Sequence, residues 1–316
     1  MATYLITGVA GFIGSHLAER LLGDSHSVIG IDNFSDYYPR ECKQRNIAPL
    51  SKFDRFHFQE MDLKNFTPDH LTGVDHVVHL AAQPGVRDSW NQFETYLDDN
   101  LLATNQLLQS VVASSVNRVV MASSSSVYGD QEAYPTHEDS PLKPRSPYGV
   151  TKLATEALGR AYTTANDLEI AAMRFFTVYG PRQRPDMATH RLIEASLNGT
   201  EFTLYGDGSA RRDFTYVSDI AQALVAACNS SLPEKFIPLN VGGTGDTSMA
   251  ALIRLIEQTT HKPIRIRRVG KQVGDVDRTG ADCSRAAEVL GWKPSVSIEN
   301  GIRLHVEALQ SGAHAR

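Results

Sequence analysis

The chain has 316 residues, of which 41% are hydrophobic and 21% are charged, and its formal net charge at pH 7 is −5. This length and composition fit a soluble globular protein built as one large α/β unit or as two modest lobes. Because the charge balance is mildly acidic and no long basic run occurs, the sequence excludes a general binding surface for nucleic acid or for a membrane.

The cysteines and the opening residues indicate the compartment. Cys42, Cys228 and Cys283 are odd in number and lack metal-site spacing, which is typical of reduced cytoplasmic thiols. Residues 1–14 are apolar but lack a basic leader and are interrupted by glycines, which predicts a strand and a turn rather than a signal peptide. No run approaches the ~18 apolar residues of a membrane span. We therefore expect a cytoplasmic protein without a metal site.

The first predicted element is a short apolar strand at 4–7, followed by a glycine turn and an amphipathic helix at 15–22. This order is the context that a dinucleotide fingerprint requires. Gly8 and Gly11 would permit a tight turn and a close approach of the backbone to a pyrophosphate, and Gly14 would let the helix pack on the strand. The spacing is G-x-x-G-x-x-G, and a glycine trio by itself is also compatible with a plain loop.

The second predicted strand, at 27–32, ends in Asp32. A carboxylate roughly 20 residues past the glycine turn accepts hydrogen bonds from an adenosine ribose and repels a 2′-phosphate, which favours NAD over NADP. A simple turn aspartate is the alternative interpretation. A third, edge-like strand at 56–61 is followed by Asp62, which could contact adenine.

Apolar runs at 75–80, 117–122 and 169–175 suit buried parallel strands, and the segments between them favour helices, notably at 100–114 and 150–165. Strand and helix alternate for about 180 residues, which predicts an α/β fold with a doubly wound parallel sheet. Within the first run, His79 is interpreted as a packed core residue.

The four serines at 123–126 follow a predicted strand, at the edge where open parallel sheets bind ligands. A flexible polar loop is the alternative for this run. Beyond Gly180 the pattern loosens, and proline, arginine and glycine become frequent. We predict an NAD-binding Rossmann domain at 1–178, to which about 214–242 returns, and a smaller substrate lobe mainly at 179–316. Helical segments are predicted in this lobe and its surroundings at 189–197, 218–227, 249–258 and 284–290.

Tyr148 and Lys152 are four residues apart, so on a helix they share one face, and Pro147 suits the first turn of that helix. A free phenol has a pKa of about 10, and a neighbouring ammonium can lower it toward the working pH. Such a pair can take a proton from a sugar hydroxyl and return it. The alternative is an ordinary helix with a partly buried ring beside a solvated amine.

The chain resembles the extended short-chain dehydrogenase/reductase family over nearly its whole length, because it carries in order TGVAGFIG, Asp32, HLAAQ, SSSSVYG, SPYGVTK and RDFTYV. Through AAQPGVRDS and RFFTVYGPRQRPDM it is similar to the nucleotide-sugar epimerases of that family, especially the UDP-glucuronate 4-epimerases. The resemblance implies a tightly held NAD, a UDP-sugar substrate, and a homodimer formed through the helices at 100–114 and 150–165. It also implies a catalytic set, which is Ser124, Tyr148 and Lys152 here.

The resemblance further implies two groups of binding residues. The cofactor group comprises Gly8, Gly11, Phe12, Ile13, Gly14, Asp32, Asn33, Asp62, Leu63, Leu80, Ala81, Ala82, Gln83, Asn100, Ser123, Tyr148, Lys152, Phe175 and Val178. The substrate group comprises Arg87, Ser125, Ser126, Thr177, Arg184, Tyr205, Arg212 and Arg278. Within the second group, Arg212 and Arg278 match diphosphate-binding positions. We expect Ser125, Ser126, Thr177 and Arg184, with Arg87 as a further candidate, to hold a sugar carboxylate; each arginine is also compatible with a surface charge or a diphosphate contact.

The serines after Ser124 bear on the reaction. Related dehydratases carry Asp-Glu there, and related decarboxylases carry a glutamate at the position of Ser126. The sequence therefore favours 4-epimerisation of UDP-glucuronate to UDP-galacturonate, by oxidation at carbon 4, rotation of the 4-keto intermediate and return of the hydride. Decarboxylation or dehydration on the same scaffold, UDP-glucose 4-epimerisation, and a non-catalytic NAD-binding regulator are the alternatives, and the intact catalytic set argues against the last.

Overall fold

The computed structural model describes residues 1–270 and 276–311, so parts of the predicted C-terminal lobe, at 271–275 and 312–316, lie outside the described residues. Strands and helices alternate through residue 175. The strands of this part are Thr3–Thr7 (β1), Ser27–Asp32 (β2), Phe56–Glu60 (β3), His76–His79 (β4), Arg118–Ser124 (β5) and Glu169–Phe175 (β6). The helices are Phe12–Gly23 (α1), Arg40–Ile47 (α2), Phe93–Tyr96 (α3), Ala103–Val112 (α4) and Pro147–Ala165 (α5), with a π-helical segment, Leu97–Leu102, between α3 and α4.

The second part of the chain has shorter strands. They are Thr177–Tyr179 (β7), Glu201–Tyr205 (β8), Arg211–Tyr216 (β9), Phe236–Val241 (β10), Asp246–Ser248 (β11) and Arg265–Val269 (β12). The helices are Ala188–Asn198 (α6), Val217–Asn229 (α7), Met249–Thr260 (α8), Ser284–Leu290 (α9) and Ile298–Gln310 (α10). The four helical segments predicted in this part of the sequence correspond to α6 to α9.

Seven strands form one sheet in the order β10-β6-β5-β4-β1-β2-β3, and each neighbouring pair is parallel. This confirms the predicted fold class, with β3 at the edge. The chain builds outward from β1 through β2 and β3, and then resumes on the other side with β4. At such a reversal the loops after neighbouring strands diverge and leave a cleft at their carboxyl ends. Two smaller sheets, β11-β9-β7 and β12-β8, lie in the second part of the chain.

Apolar side chains cover both faces of the large sheet. In β5, Val120 belongs to one buried cluster, whereas Val119 and Met121 belong to another, because successive residues of a strand point to opposite faces. Helices α1 and α7 pack against each other and contribute to the first cluster, and α4 contributes to the second. No helix in the part of the chain that the structure describes has the length and apolar character needed to cross a bilayer.

Local sequence explains where α5 begins. Ser146 has extended backbone, and its hydroxyl accepts a hydrogen bond from the Gly149 amide at 3.1 Å. Pro147 then occupies the first turn, where its missing N–H costs nothing. The helix therefore starts three residues before the predicted Val150, and this places Tyr148 in its first turn.

Asp213 joins β9 to two loops of the second part. Its Oδ1 accepts a hydrogen bond from the Gly243 amide, and its Oδ2 accepts one from the Ala281 amide at 2.9 Å. The side chain is only 2% exposed, and burial is the largest cause that raises its carboxyl pKa to about 6. In an unfolded chain the same carboxyl titrates near 3.8.

We predict that Asp213→Asn makes the free energy of unfolding less dependent on pH. Between about pH 4 and pH 6 the folded wild type binds more protons at this site than the unfolded chain. The site's contribution is therefore fully present below pH 4 and is lost as the pH rises through 6. The wild-type free energy of unfolding, relative to the variant, should fall by about 3 kcal/mol from pH 4 to pH 7. Urea denaturation measures this, and the exposed Asp167→Asn is the control. A difference that is constant with pH would contradict the prediction.

Candidate active site

A cavity of about 420 Å³ opens at the carboxyl ends of the central strands. Most of the predicted site residues line it. They are Gly8, Gly11, Phe12, Ile13, Gly14, Asp32, Asn33, Asp62, Leu63, Leu80, Ala81, Ala82, Ser123, Ser124, Ser125, Ser126, Tyr148, Lys152, Phe175, Thr177, Val178 and Arg184. The cavity thus combines the glycine turn after β1, the serines after β5 and the residues that follow β6.

The glycine turn packs too tightly for larger residues. Gly8 has φ +70°, and a Cβ there would lie 2.8 Å from the Ala81 amide nitrogen. A Cβ on Gly14 would collide with the Gly8 carbonyl oxygen. The bare backbone and the start of α1 therefore face the cavity, an arrangement that suits a pyrophosphate.

Asp32 is held at the rim of this turn. Its Oδ2 accepts a hydrogen bond from the Ala10 amide at 3.1 Å, and its Oδ1 accepts one from the Phe34 amide at 2.8 Å. Burial raises the pKa of this carboxyl, and the charge of Lys43 opposes that rise. Lys43 also lines the cavity and donates to the Ser35 carbonyl at 2.7 Å. Lys43 was not predicted as a site residue, because a lysine on a polar helix carries no local signal.

The catalytic set predicted from the sequence comes together in the cavity. Ser124 ends β5, lines the cavity beside Tyr148 and lowers the pKa of the Tyr148 phenol. Lys152 is 6% exposed, and its Nζ donates to the Ala122 carbonyl at 3.0 Å. Burial lowers the pKa of Lys152 to about 8, and the charge of Glu156 acts in the opposite direction.

Burial and two neighbouring residues shift the pKa of the Tyr148 phenol in opposite directions. Burial is the largest effect, and it raises the pKa of the phenol. The hydrogen bond with Ser124 and the positive charge of Arg184 lower it. Desolvation therefore dominates, and Arg184 supplies a positive charge that opposes it; a further lowering by Lys152 stays a prediction.

A buried ion pair between Arg174 and Glu156 lies next to the predicted catalytic set. Arg174 and Glu156 are 2% and 4% exposed, and the Arg174 Nε and Nη2 atoms donate to the Glu156 carboxylate at 2.9 and 2.7 Å. The Ser123 hydroxyl donates to the same carboxylate at 2.5 Å. The sequence analysis missed both charged residues, although Glu156 lies one helical turn after Lys152.

Two predicted cofactor residues lie outside the cavity lining. The Asn100 side chain accepts a hydrogen bond from the Gln83 amide at 2.7 Å and donates to the Gln83 carbonyl at 3.2 Å. It also donates to the Thr151 hydroxyl at 3.0 Å. This pair ties the segment after β4 to α5.

His79 lies nearby, buried between Thr7 and Thr104, to which it is hydrogen-bonded at 2.8 and 2.9 Å, which confirms that it is a core histidine.

Arg184 is the cationic residue among the substrate group that lines the cavity. Its Nε and Nη2 atoms each donate to the Asp186 carboxylate at 2.9 Å, and Nη2 also contacts the Met187 sulfur at 3.3 Å. The hydroxyl-bearing residues Ser126 and Thr177 line the same cavity. This end of the cavity therefore offers several hydrogen-bond donors and one guanidinium.

The remaining predicted substrate residues lie apart from the cavity lining. The Arg87 guanidinium lies 4.1 Å from the centre of the Tyr205 ring. Arg278 forms an ion pair with Asp246, which also pairs with Arg211. Arg212 follows Arg211 in β9, and its Nη1 donates to the Arg211 carbonyl at 2.9 Å.

Comparison with known proteins places this geometry in a family. A UDP-glucose epimerase of Bacillus subtilis, YtcB, described as uncharacterised, is 41% identical over 314 residues, which cover 97% of this chain and 98% of that protein. The crystal structure of a UDP-glucuronic acid 4-epimerase from Bacillus cereus, with UDP-glucuronic acid and NAD, superposes with a TM-score of 0.93 at 38% identity, covering 98% and 99% of the two chains.

A second solved protein, MoeE5, has been crystallised with NAD and either of two sugars. Its complex with UDP-glucuronic acid superposes with a TM-score of 0.89 at 37% identity, covering 98% of this chain and 100% of that one. Its complex with UDP-glucose gives 0.89 at 38% identity, covering 98% and 99%. The family model described as GDP-mannose 4,6 dehydratase matches residues 5–305. The chain therefore belongs to the GDP-mannose 4,6 dehydratase family, within the extended short-chain dehydrogenases/reductases.

Proposed function

We propose that this protein is an NAD-dependent 4-epimerase that interconverts UDP-glucuronate and UDP-galacturonate. One observation carries the proposal: the glycine turn, the Ser124–Tyr148–Lys152 set and a cluster of hydroxyls with Arg184 line one cavity. Relatives with the same fold are named as epimerases of UDP-sugars and have been crystallised with NAD. The family's name refers to a dehydratase, but Ser125 and Ser126 stand where the related dehydratases carry acidic residues.

The cavity fits NAD. The turn around Gly8 and Gly14 would hold the pyrophosphate, since backbone amides and the start of α1 face that space. Asp32 would accept hydrogen bonds from the adenosine ribose, and Lys152 would hold the nicotinamide ribose. When bound, NAD accepts the hydride from carbon 4 of the sugar and returns it, so the overall reaction consumes no cofactor.

The proton would be handled by Tyr148 and Ser124. Tyr148 would remove the proton of the 4-hydroxyl, and Ser124 would hydrogen-bond the same oxygen and relay the proton. Burial raises the pKa of the phenol and so favours its protonated form. The Ser124 hydrogen bond and the Arg184 charge act the other way, and they help the phenol to ionise when the substrate needs a base.

The sugar carboxylate requires protection, because it lies β to the transient ketone and such acids lose carbon dioxide readily. A carboxylate that stays charged and hydrogen-bonded resists this loss, since the reaction is easiest after desolvation. Ser125, Ser126, Thr177 and Arg184 would supply those hydrogen bonds. Tyr205, Arg87, Arg212 and Arg278 would contact the nucleotide end at the mouth of the cavity.

A second candidate activity is 4-epimerisation of UDP-glucose. The neutral hydroxymethyl group of that sugar offers no anion to Arg184. Asp186 already supplies one in the structure, through two hydrogen bonds of 2.9 Å. A bound neutral sugar therefore does not leave the guanidinium without an anion. The MoeE5 complexes indicate that a related cavity accommodates both sugars.

Two further features belong to the proposal. We propose residence in the cytoplasm, because Cys42, Cys228 and Cys283 are free thiols and reducing compartments maintain that state. We also propose a homodimer through the π-helical segment, α4 and α5, which pack together. On these elements Leu102, Val112 and Val150 remain 53%, 39% and 47% exposed, and exposed apolar side chains on adjoining elements are typical of an interface.

Incubation with each UDP-sugar, followed by NMR of the products, tests the activity. We predict UDP-galacturonate from UDP-glucuronate, and at least a roughly tenfold lower kcat/KM with UDP-glucose, since each lost charged hydrogen bond weakens binding by about that factor. A UDP-pentose would indicate a decarboxylase instead. Equal kcat/KM values would contradict recognition of the carboxylate, and no turnover of either sugar would favour a regulator.

We predict that Tyr148→Phe lowers kcat by about 10²- to 10⁴-fold, because it removes the group that transfers the proton. NAD should remain bound, and its release on denaturation can be quantified by absorbance. Tyr162→Phe is the matched control: Tyr162 lies on the same helix, and its hydroxyl donates to the Asn105 side chain at 3.0 Å, away from the cavity. Wild-type turnover in Tyr148→Phe would exclude Tyr148 as the base.

We predict that Leu102→Glu converts the proposed dimer to a monomer, because a buried unpaired charge is costly at an interface. Light scattering after gel filtration measures the mass. Leu142→Glu is the control, since Leu142 is also exposed but lies on a loop outside these elements. A monomeric wild type, or a dimeric Leu102→Glu, would refute the interface.

A further inference from the structure

Arg184 and Asp186 form a defined pair at the sugar end of the cavity. The Arg184 Nε donates to Asp186 Oδ1 and its Nη2 donates to Oδ2, both at 2.9 Å, so the two groups meet in a bidentate arrangement. The Arg184 side chain is 19% exposed and that of Asp186 is 40% exposed. Within residues 1–270 and 276–311, the hydrogen bonds recorded for this guanidinium use Nε and Nη2. The edge that carries Nη1 therefore remains available for a sugar substituent.

The charges of both residues act on side chains that line the cavity. The positive charge of Arg184 lowers the pKa of the Tyr148 phenol, against the larger opposing effect of burial. Burial is also the largest cause that raises the pKa of Tyr37 and Tyr38, and the Asp186 carboxylate adds to both rises. Tyr37 and Tyr38 line the same cavity. A bound sugar would therefore experience the pair and not the guanidinium alone.

We propose that Asp186 sets the sugar specificity of the site by acting as an internal anion for Arg184. This inference rests on the proposed function, because it assumes that Arg184 faces carbon 6 of the sugar. With a neutral hexose bound, Asp186 keeps the guanidinium paired, so a partly buried cation is not left without an anion. With a hexuronate bound, the Arg184 Nη1 atom donates to the sugar carboxylate, while the like charge of Asp186 repels it.

Because of these two effects, Asp186 limits how strongly the site distinguishes a hexuronate from a neutral hexose. Hydroxyls such as those of Ser126 and Thr177 can hydrogen-bond either a carboxylate or a hydroxymethyl group, so they distinguish the sugars weakly. The charged pair distinguishes them by electrostatics. Removing the negative charge of Asp186 should therefore favour the uronate and disfavour the neutral sugar at the same time.

Calorimetric titration of the NAD-loaded Tyr148→Phe protein tests this without turnover. In that background Asp186→Asn is expected to bind UDP-glucuronate about tenfold more tightly and UDP-glucose about threefold more weakly, as the loss of one like charge at short range implies. The ratio of kcat/KM for the two sugars, measured with Tyr148 intact, should move in the same direction. An unchanged ratio, or an equal change for both sugars, would overturn the proposal, since a purely structural role of the loop affects both alike.

Asp139→Asn is the matched control. Asp139 also forms a short ion pair with an arginine, with Arg285 Nη2 at 2.8 and 2.9 Å from its two oxygens, but Arg285, unlike Arg184, does not line the cavity. The same substitution should leave the ratio at the wild-type value. A shift in this control as large as that of Asp186→Asn would overturn the proposal, because the ratio would then respond to any lost ion pair.

Two Arg184 variants cover the case in which Asp186→Asn fails to fold because it leaves the guanidinium unpaired. Arg184→Gln leaves Asp186 as an uncompensated charge, and the double variant Arg184→Gln with Asp186→Asn removes it. The double variant should bind UDP-glucuronate at least fivefold more tightly than Arg184→Gln, with little change for UDP-glucose. Equal affinities would overturn the proposal.

The same variants separate this inference from the proposed function. If Arg184→Gln leaves the affinity for UDP-glucuronate unchanged, Arg184 does not recognise the carboxylate, and the proposed recognition fails together with the role of Asp186. If Arg184→Gln weakens the binding of UDP-glucuronate but Asp186→Asn leaves the ratio unchanged, the proposed function stands and the role of Asp186 alone is rejected.

Discussion

The site depends on the register between α5 and β5. Tyr148 and Lys152 belong to the helix and Ser124 belongs to the strand, so the three side chains line one cavity only if the two elements are aligned. Two contacts fix that alignment at the two residues just before Ser124. The Lys152 Nζ donates to the Ala122 carbonyl at 3.0 Å, and the Ser123 hydroxyl donates to Glu156 at 2.5 Å. Both lie in the interior, where geometry is tightly constrained.

Burial has opposite consequences for different groups around this junction. It raises the pKa of the Tyr148 phenol and lowers that of the Lys152 ammonium to about 8, because a low-dielectric environment disfavours either charge. Charged neighbours offset part of each effect: Arg184 acts on the phenol and Glu156 acts on the ammonium. Arg174, in turn, neutralises Glu156 from β6. The proton-transfer set is thus placed between two ion pairs, one deep in the core and one at the sugar end.

The two ends of the cavity use different means to hold anionic ligands. At the glycine turn, backbone groups and the start of α1 face the cavity, so the proposed pyrophosphate contact needs no side-chain charge. At the sugar end, the hydroxyls after β5 lie with an arginine whose charge is already balanced by Asp186. The first arrangement suits a ligand that stays bound. The second suits substrates whose charge varies, since the guanidinium is never left unpaired.

Local patterns in the sequence determined the alternation of strands and helices, the glycine turn, and the common face of Tyr148 and Lys152, because each depends on residues that are neighbours along the chain. The early start of α5 was also encoded locally, in Ser146 and Pro147. Tertiary structure alone decided the pairing of Glu156 with Arg174, the placement of Lys43 beside Asp32, and the position of Asn100 behind the cavity. It also decided that burial dominates the pKa of the Tyr148 phenol and that Arg184 opposes it. These features depend on how separate elements dock and on how much water docking removes, and neither quantity is expressed in the spacing of residues.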